Sequence, residues 1–351
     1  MKIAIDISPL HTGHRVRGVG FYLENLKKSL LNYHPEFSYT FFTRGEKIPN
    51  DVDLIHFPYF EPFFLAKPIY SKFKSIVTVH DLTPIVFPKE FPKGIKGWFR
   101  WQMQKQSLAK TDAIITDSNS SKKDILKYVN IDQKKVNTVY LAAAEEFVNS
   151  KRNEKLITKI REKHKLPEKF VLYVGDVTWN KNLPRLLSAV KKANVPLVMI
   201  GQALTSKNYD KKNPWNKDLV AVQKLASENK NIISLGFVSS EELTQLYKIA
   251  TVFTMPSLYE GFGLPVLEAM ASGLPVICSK EGSLDEVSNN AAYYVNAYDE
   301  DEIAEGIIKV FNDIKIQEEL SRKGKENSKN FSWKDTADKT IDVYKKVVYE
   351  R

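Results

Sequence analysis

Residues 252–277 read VFTMPSLYEGFGLPVLEAMASGLPVI, and this stretch decides the fold. VFTMPS is an apolar run of strand length. Pro265 is placed to open a helix, because its missing N–H costs nothing in a first turn, and Gly273 is placed to close it. PVICS follows as a second apolar run. Strand, loop, helix and strand in such close succession form a unit of parallel sheet with a crossover helix. The loop SLYEGFG therefore leaves the carboxyl end of a strand and enters a helix N-terminus. Ligands sit there in open α/β sheets, and the unpaired N–H groups and helix dipole attract an anion. Gly261 and Gly263 let backbone approach a phosphate closely.

Two carboxylates flank that loop, Glu260 within it and Glu268 about one turn into the helix. A bare carboxylate repels phosphate, so each glutamate needs hydroxyl donors. A ligand with phosphate in its middle and a polyol at each end satisfies every group, and a nucleoside-diphosphate sugar is such a molecule. Either glutamate alone reads as a solvated charge; the pair around Gly-x-Gly, with Pro265 behind it, reads as a site.

The same alternation runs outward in both directions. KIAIDIS, SYTFFT, VDLIHF, SIVTVH, AIITDS and NTVYL are strand candidates in the first half. FVLYVG, PLVMIG, IISLGF, VFTMPS and PVICS are the candidates in the second. The chain reads as α/β with parallel sheets in two domains, which suits 351 residues. The charged stretch NSKRNEKLITKIREKHKLPEK, from 149 to 169, marks the linker. The expected domains are 1–165 and 166–332. A last helix over 333–351, capped by Ser332 and carrying Ala337, Ile341, Tyr344 and Val348 at helical spacing, is expected to pack back on the first.

Composition narrows the functional classes. With 43% hydrophobic and 27% charged residues the chain reads as globular. MKIAIDISPL is a strand rather than a signal peptide, and no window approaches the roughly 20 apolar residues of a bilayer span. The single cysteine, Cys278, excludes an internal disulfide, fits a reducing cytoplasm and reads as an inert core thiol. Lys plus Arg outnumber Asp plus Glu by 52 to 42, a net +10, which implies an anionic partner: a nucleotide, a phospholipid surface or a nucleic acid. Nucleic acid is the weakest of these, since no zinc-finger or RNP-like motif accompanies the charge.

In the first half, Gly18 and Gly20 stand before a helix whose Val19, Leu23, Leu26 and Leu30 share a face. Leu23 breaks the G-x-G-x-x-G pattern, so a nicotinamide cofactor is not expected. His80 ends the strand SIVTVH, again at a carboxyl edge. Asp81 beside it reads as a turn residue or an orienting partner of His80. His11, His14, His34, His56 and His164 lack metal spacing, and Asp51-Val-Asp53 precedes a strand at the wrong edge for a ligand. No metal is expected. The segment 89–110 mixes Lys89, Lys93, Lys96, Arg100, Lys105 and Lys110 with Phe91, Trp98, Phe99 and Trp101. Two readings stand: an anchor on an anionic membrane surface, or a helix whose aromatics pack inside the first domain.

The string E-G-F-G-L-P-x-x-E-A-M-A-x-G-x-P-V resembles the E-x7-E signature of retaining glycosyltransferases of family 4. HDLTP at 80–84, TDSNSSKKDI at 116–125, YVGDVTWNKNLPRLL at 173–187, LGFVSSEEL at 235–243 and FSWKDTA at 331–337 resemble further segments of that family in the same order. The resemblance implies the GT-B fold, two facing Rossmann-like domains with a cleft between them. It implies that Glu260 holds donor-sugar hydroxyls, that Glu268 holds ribose hydroxyls, and that backbone amides of Gly261, Phe262, Gly263 and Leu264 meet the distal phosphate and sugar. Lys181, after Gly175, is implied to pair with the diphosphate, Val238 to touch the base through its backbone, and His80 to contact the donor sugar. Gly18 and Gly20 become a mobile loop that meets donor and acceptor.

Asp176 departs from the pattern, because many members carry an arginine there. The implied activity is transfer of a hexose from GDP-mannose or a UDP-hexose to a glycan or lipid-linked acceptor, with no cofactor. It would proceed with retention by front-face attack, the leaving diphosphate taking the acceptor proton, in bacterial surface polysaccharide synthesis at the inner face of the membrane. Two other classes compete: a GT-B epimerase or hydrolase of nucleotide sugars, and a non-catalytic nucleotide-sugar-binding protein.

Overall fold

Each expected strand forms, the run NTVYL only in part, since its strand covers Val136–Thr138 and stops before Val139, and every strand is parallel to its neighbours. The computed structural model describes residues 1–16, 18–65, 67–68 and 72–350. The first sheet contains β1 (Lys2–Asp6), β2 (Ser38–Phe42), β3 (Leu54–Phe57), β4 (Lys74–Thr78), β5 (Ala113–Thr116) and β6 (Val136–Thr138) in the order β2-β1-β3-β4-β5-β6. The second contains β7 (Val171–Val174), β8 (Leu197–Ile200), β9 (Ile232–Gly236), β10 (Val252–Met255), β11 (Val276–Cys278) and β12 (Tyr293–Tyr294) in the order β12-β11-β10-β7-β8-β9. Strands β3, β5, β8 and β10 are buried at every position, as continuous apolar runs covered on both faces must be. In the second sheet the order reverses between β7 and β10. The crevice outside their carboxyl ends is thus the topological switch point.

The chain divides into one unit of 1–142 and 331–351 and another of 143–330. The boundary thus falls at 142/143 and not at 165/166. The helix Glu154–His164 explains the difference, because its apolar side faces the second unit: Ile157 and Ile160 are buried, Gln245 accepts from the backbone N–H of Asn153 at 2.9 Å, and Lys163 meets Glu242 at 2.7 Å. Within the first unit the helix Trp333–Tyr349, capped by Ser332, buries Trp333, Ala337, Ile341 and Tyr344. Tyr344 bonds Nδ1 of the fully buried His56 at 2.7 Å, and Thr78 occupies its Nε2 at 2.8 Å. Burial, and after it the charge of His80, hold His56 uncharged, its pKa lowered to about 3.

Cys278 is buried, and desolvation pushes its thiol up to about 12, so it packs and does not react. Asp51 and Asp53 both bind Lys2, the first at its side chain (2.5 Å) and the second at its backbone N–H (2.7 Å).

Candidate functional site

The loop after β10 carries Glu260, and the loop after β7 carries Lys181. One side-chain and one backbone bond clamp the loops together: Asn180 Nδ2 donates to the Tyr259 carbonyl at 2.9 Å, and the Leu258 N–H donates to the Asn180 carbonyl at 2.7 Å. Lys181 Nζ consequently reaches both oxygens of Glu260, at 2.8 and 2.7 Å. Ser257 donates to the same carboxylate at 2.7 Å, and Ser283 donates to the Glu260 carbonyl at 3.1 Å. Glu260 is only 5% exposed. A carboxylate this buried stands only because it is paired and hydrogen-bonded. Glu260 and Lys181, expected to meet different parts of one ligand, are thus each other's partner here.

The helix Leu264–Ser272 begins at that point. Gly263 is its N-cap, in the left-handed region at φ 91°, and a Cβ there would lie 2.6 Å from Leu284 Cδ2. Both the turn and the close contact require glycine. Pro265 takes the second helical position, one later than the sequence reading placed it, and Gly273 closes the helix. Pro265 has no N–H, and the Val266 and Leu267 N–H groups donate to the Gly263 carbonyl at 2.9 and 3.5 Å, so this end presents the Leu264 amide and the positive potential of the helix dipole. Phe262 is buried and Gly261 partly so. Gly175 directly follows β7 at the switch point, its N–H donating to the Ile200 carbonyl at 2.9 Å.

Glu268 lies one turn into the helix, half-buried, and accepts from Tyr247 Oη at 3.0 Å. Burial pushes its carboxyl up to about 8; the Tyr247 bond works the other way, and the charge of Glu146 adds to the rise. Asp176 keeps its side chain partly exposed and offers its carbonyl to Tyr173 Oη at 2.9 Å. Burial, then the charges of Glu260 and Asp176, raise Tyr173 well above its ordinary range, so it remains a donor. Arg185 is tied to Asn182 and to the Ala297 carbonyl, the latter at 3.1 Å. Val238 follows β9 and is buried, while Phe237 beside it is 60% exposed.

In the first unit, Gly18 and Gly20 lie within the first turn of the helix Gly18–Tyr33 and not in a loop before it. A Cβ on Gly20 would overlap the Arg15 carbonyl at 2.1 Å, so the close pass of residues 13–16 over that turn needs glycine. Arg17, just before it, lies outside the described residues. His80 follows β4 and Asp117 follows the adjacent β5, and the parallel pairing brings His80 Nδ1 within 2.6 Å of Asp117 Oδ2. Asp81 instead accepts from the Thr83 N–H at 2.8 Å, the turn role of its two expected ones. Within the helix Gly94–Ala109 the two readings of 89–110 divide: Trp101 is buried there, with Phe91 before it, whereas Ile95, Trp98 and Phe99 are exposed.

Asp117, Asn180, Tyr247, Ser257 and Ser283 were not singled out from sequence. Only Asp117 left a signal there: a second strand ending in a titratable side chain directly after His80's own.

Two family models match the chain, Glycosyltransferase Family 4 over residues 8–143 and Glycosyl transferases group 1 over 156–327. The O-antigen chain mannosyltransferase B of Escherichia coli is 29% identical over 280 residues, covering 78% of this chain and 70% of that protein. A serotype-specific mannosyltransferase WbdA, also from E. coli, is 27% identical over 282 residues, and there the chain spans only 34% of the relative's length. Among solved structures, Anabaena Alr3699/HepE in complex with UDP and glucose superposes with a TM-score of 0.73 at 16% identity, over 98% of this chain and 99% of that one. With two parallel six-stranded sheets beneath those matches, the chain belongs to the family 4 glycosyltransferases and has the GT-B fold.

Proposed function

We propose that the protein is a retaining hexosyltransferase that moves a hexose from a nucleoside-diphosphate sugar, GDP-mannose or a UDP-hexose, to a glycan or lipid-linked acceptor in surface polysaccharide synthesis. The observation that carries this reading is the buried Glu260 carboxylate, held by Lys181 and Ser257 at the start of the helix Leu264–Ser272. A nucleotide sugar divides that arrangement. Its diphosphate draws on Lys181 and the helix N-terminus, and its sugar hydroxyls take the place of Lys181 on Glu260. Glu268, with Tyr247 behind it, stands on the ribose side, the Val238 backbone on the base side, and His80 meets the donor sugar. The protein's contribution to the step is electrostatic: fixed donors stabilise charge gathering on the departing diphosphate, and such stabilisation commonly supplies most of an enzyme's rate enhancement. No side-chain base is then required, and the reading invokes no metal or other cofactor. The mannosyltransferase names of the curated relatives favour mannose as the sugar.

We place the work at the cytoplasmic face of an anionic membrane, met through the exposed Ile95, Trp98 and Phe99 with Lys93, Lys96 and Arg100 among them. No helix among the described residues is long and apolar enough to cross a bilayer. A thermal-shift series over GDP-mannose, UDP-glucose and UDP-galactose tests the reading, because a ligand of the folded state raises the melting point by mass action. The expected result is stabilisation by at least one donor, followed by transfer with the anomeric configuration kept, read by NMR. A flat series, or an inverted product, overturns it.

A further inference from the structure

Two histidines of the first unit lie within one polar network and are treated in opposite ways. His56 has both ring nitrogens spent on neutral hydroxyls and stays uncharged. His80, at the carboxyl edge, spends Nδ1 on a buried carboxylate and leaves Nε2 buried with no hydrogen-bond partner among the described residues. Asp117 is 2% exposed, and its second oxygen, Oδ1, also lacks a partner there. Buried polar atoms are almost always satisfied, so two unspent positions on one ion pair mark a place completed by another molecule.

The surroundings fit a held cation. Tyr22, from the helix Gly18–Tyr33, sets its ring against the His80 ring at 4.8 Å and 85°, while its hydroxyl is engaged with Thr78 at 3.1 Å. That contact limits rotation of the imidazole about its axis. The titratable groups facing His80 are Asp117 beyond β5, Asp81 in its own loop, Tyr22, and His56 on β3. Burial is the largest single influence and alone would discharge the ring; the charge and hydrogen bond of Asp117, with Asp81 and the Pro58 backbone, together outweigh it, so His80 titrates above its ordinary range. The Pro58 carbonyl also favours the charged ring, without forming a hydrogen bond of normal geometry to Nε2.

We infer that Asp117 is a positioning residue for His80: it accepts from Nδ1–H, which fixes the tautomer and the plane of the ring, and so directs Nε2 to the place that another molecule completes. In its charged form, which Asp117 favours, the ring can donate from Nε2–H but cannot accept, so what it meets is an oxygen acceptor such as a sugar hydroxyl. This rests on the proposed role of His80 at the donor sugar, and the experiment separates the two.

Long-range ¹H–¹⁵N spectra of the full chain labelled at histidine, with His80→Gln for assignment, follow the ring through pH in the wild type and in Asp117→Asn, which keeps an acceptor oxygen but removes the charge. The wild-type ring is expected to titrate above about 6.5, and in Asp117→Asn about 1–3 pH units lower. Asp117→Glu restores part of the shift. Where transfer is measured, the alkaline limb of kcat/KM moves down with the ring in Asp117→Asn.

A wild-type His80 titrating below 6.5, or at the same pH in both proteins, overturns the inference, and the first of these needs no variant to fold. A shifted ring with an unmoved kcat/KM limb overturns its functional half. A protein that transfers no sugar but shows the shifted ring refutes the proposed function and leaves the pair standing.

Discussion

Replacing Lys181 by methionine tests the site through stability as well as activity. Glu260 is 6% exposed in its side chain and Lys181 18%, with both carboxylate oxygens engaged at 2.7 and 2.8 Å. Removing one member of a buried pair typically costs about 3–5 kcal/mol, because the survivor is an uncompensated charge. Lys181 retains some contact with water, and Ser257 still donates to Glu260, which places the expected loss near the lower end, at about 3 kcal/mol. For a unit the size of 143–330 each kcal/mol moves the melting point by roughly 2–4 °C. Lys181→Met should therefore melt roughly 6–12 °C lower. The double variant Lys181→Met/Glu260→Gln removes both charges and should recover most of that loss while remaining inactive, since neither the diphosphate nor the sugar finds its partner.

Thermal unfolding of the four proteins of this cycle, with donor turnover measured alongside, gives the coupling directly. A Lys181→Met protein within about 1 kcal/mol of wild type, or a double variant no more stable than the single, would refute the reasoning. Near-normal turnover in the double variant would refute the assignment of the site.

Glu268 bears on pH. Its folded pKa of about 8 lies above its ordinary value of 4.5, so the folded state holds the proton more tightly and stability declines as pH rises between those values. Melting curves across that window should fall less in Glu268→Gln than in wild type; parallel curves would contradict the burial argument. Gly263→Ala places a Cβ 2.6 Å from Leu284 at positive φ and should cost at least about 1 kcal/mol while raising the KM for the donor. An unchanged melting point and KM would show that the turn can relax. Ile95→Ser/Phe99→Ser alters two exposed side chains and should weaken co-sedimentation with anionic vesicles without changing the melting point. Equal binding of the variant, or wild-type binding no stronger to anionic than to neutral vesicles, removes the membrane proposal.

Much of the molecule was legible in the chain before folding. The apolar runs that became β1 to β11 are continuous or alternating and bounded by breakers, and strand formation follows from that local pattern. β12 escaped because two residues, Tyr293 and Tyr294, carry no period. Glu260 and Glu268 were readable because the chemistry is local: glycine, proline and carboxylate must stand at fixed offsets about one loop and one helix start. The domain boundary was not readable. Charge and missing β-branched residues marked 149–169 as a linker, but which unit claims the helix Glu154–His164 depends on what Ile157 and Ile160 face, and that is a property of packing.

The partners were hidden for the same reason. Lys181 meets Glu260 across 79 residues, and His80 meets Asp117 across 37. Sequence can say that each is a charged group beyond a strand end, but parallel pairing of β4 with β5 and the reversal of strand order between β7 and β10 decide which ends become neighbours. The sequence by itself determined the strands, the glycine-rich turn and the residue types of the site. Only the tertiary structure decided the pairing of the charges and which of two histidines is pushed toward its charged form and which away from it, because desolvation and Coulomb energy depend on distances that no local pattern encodes.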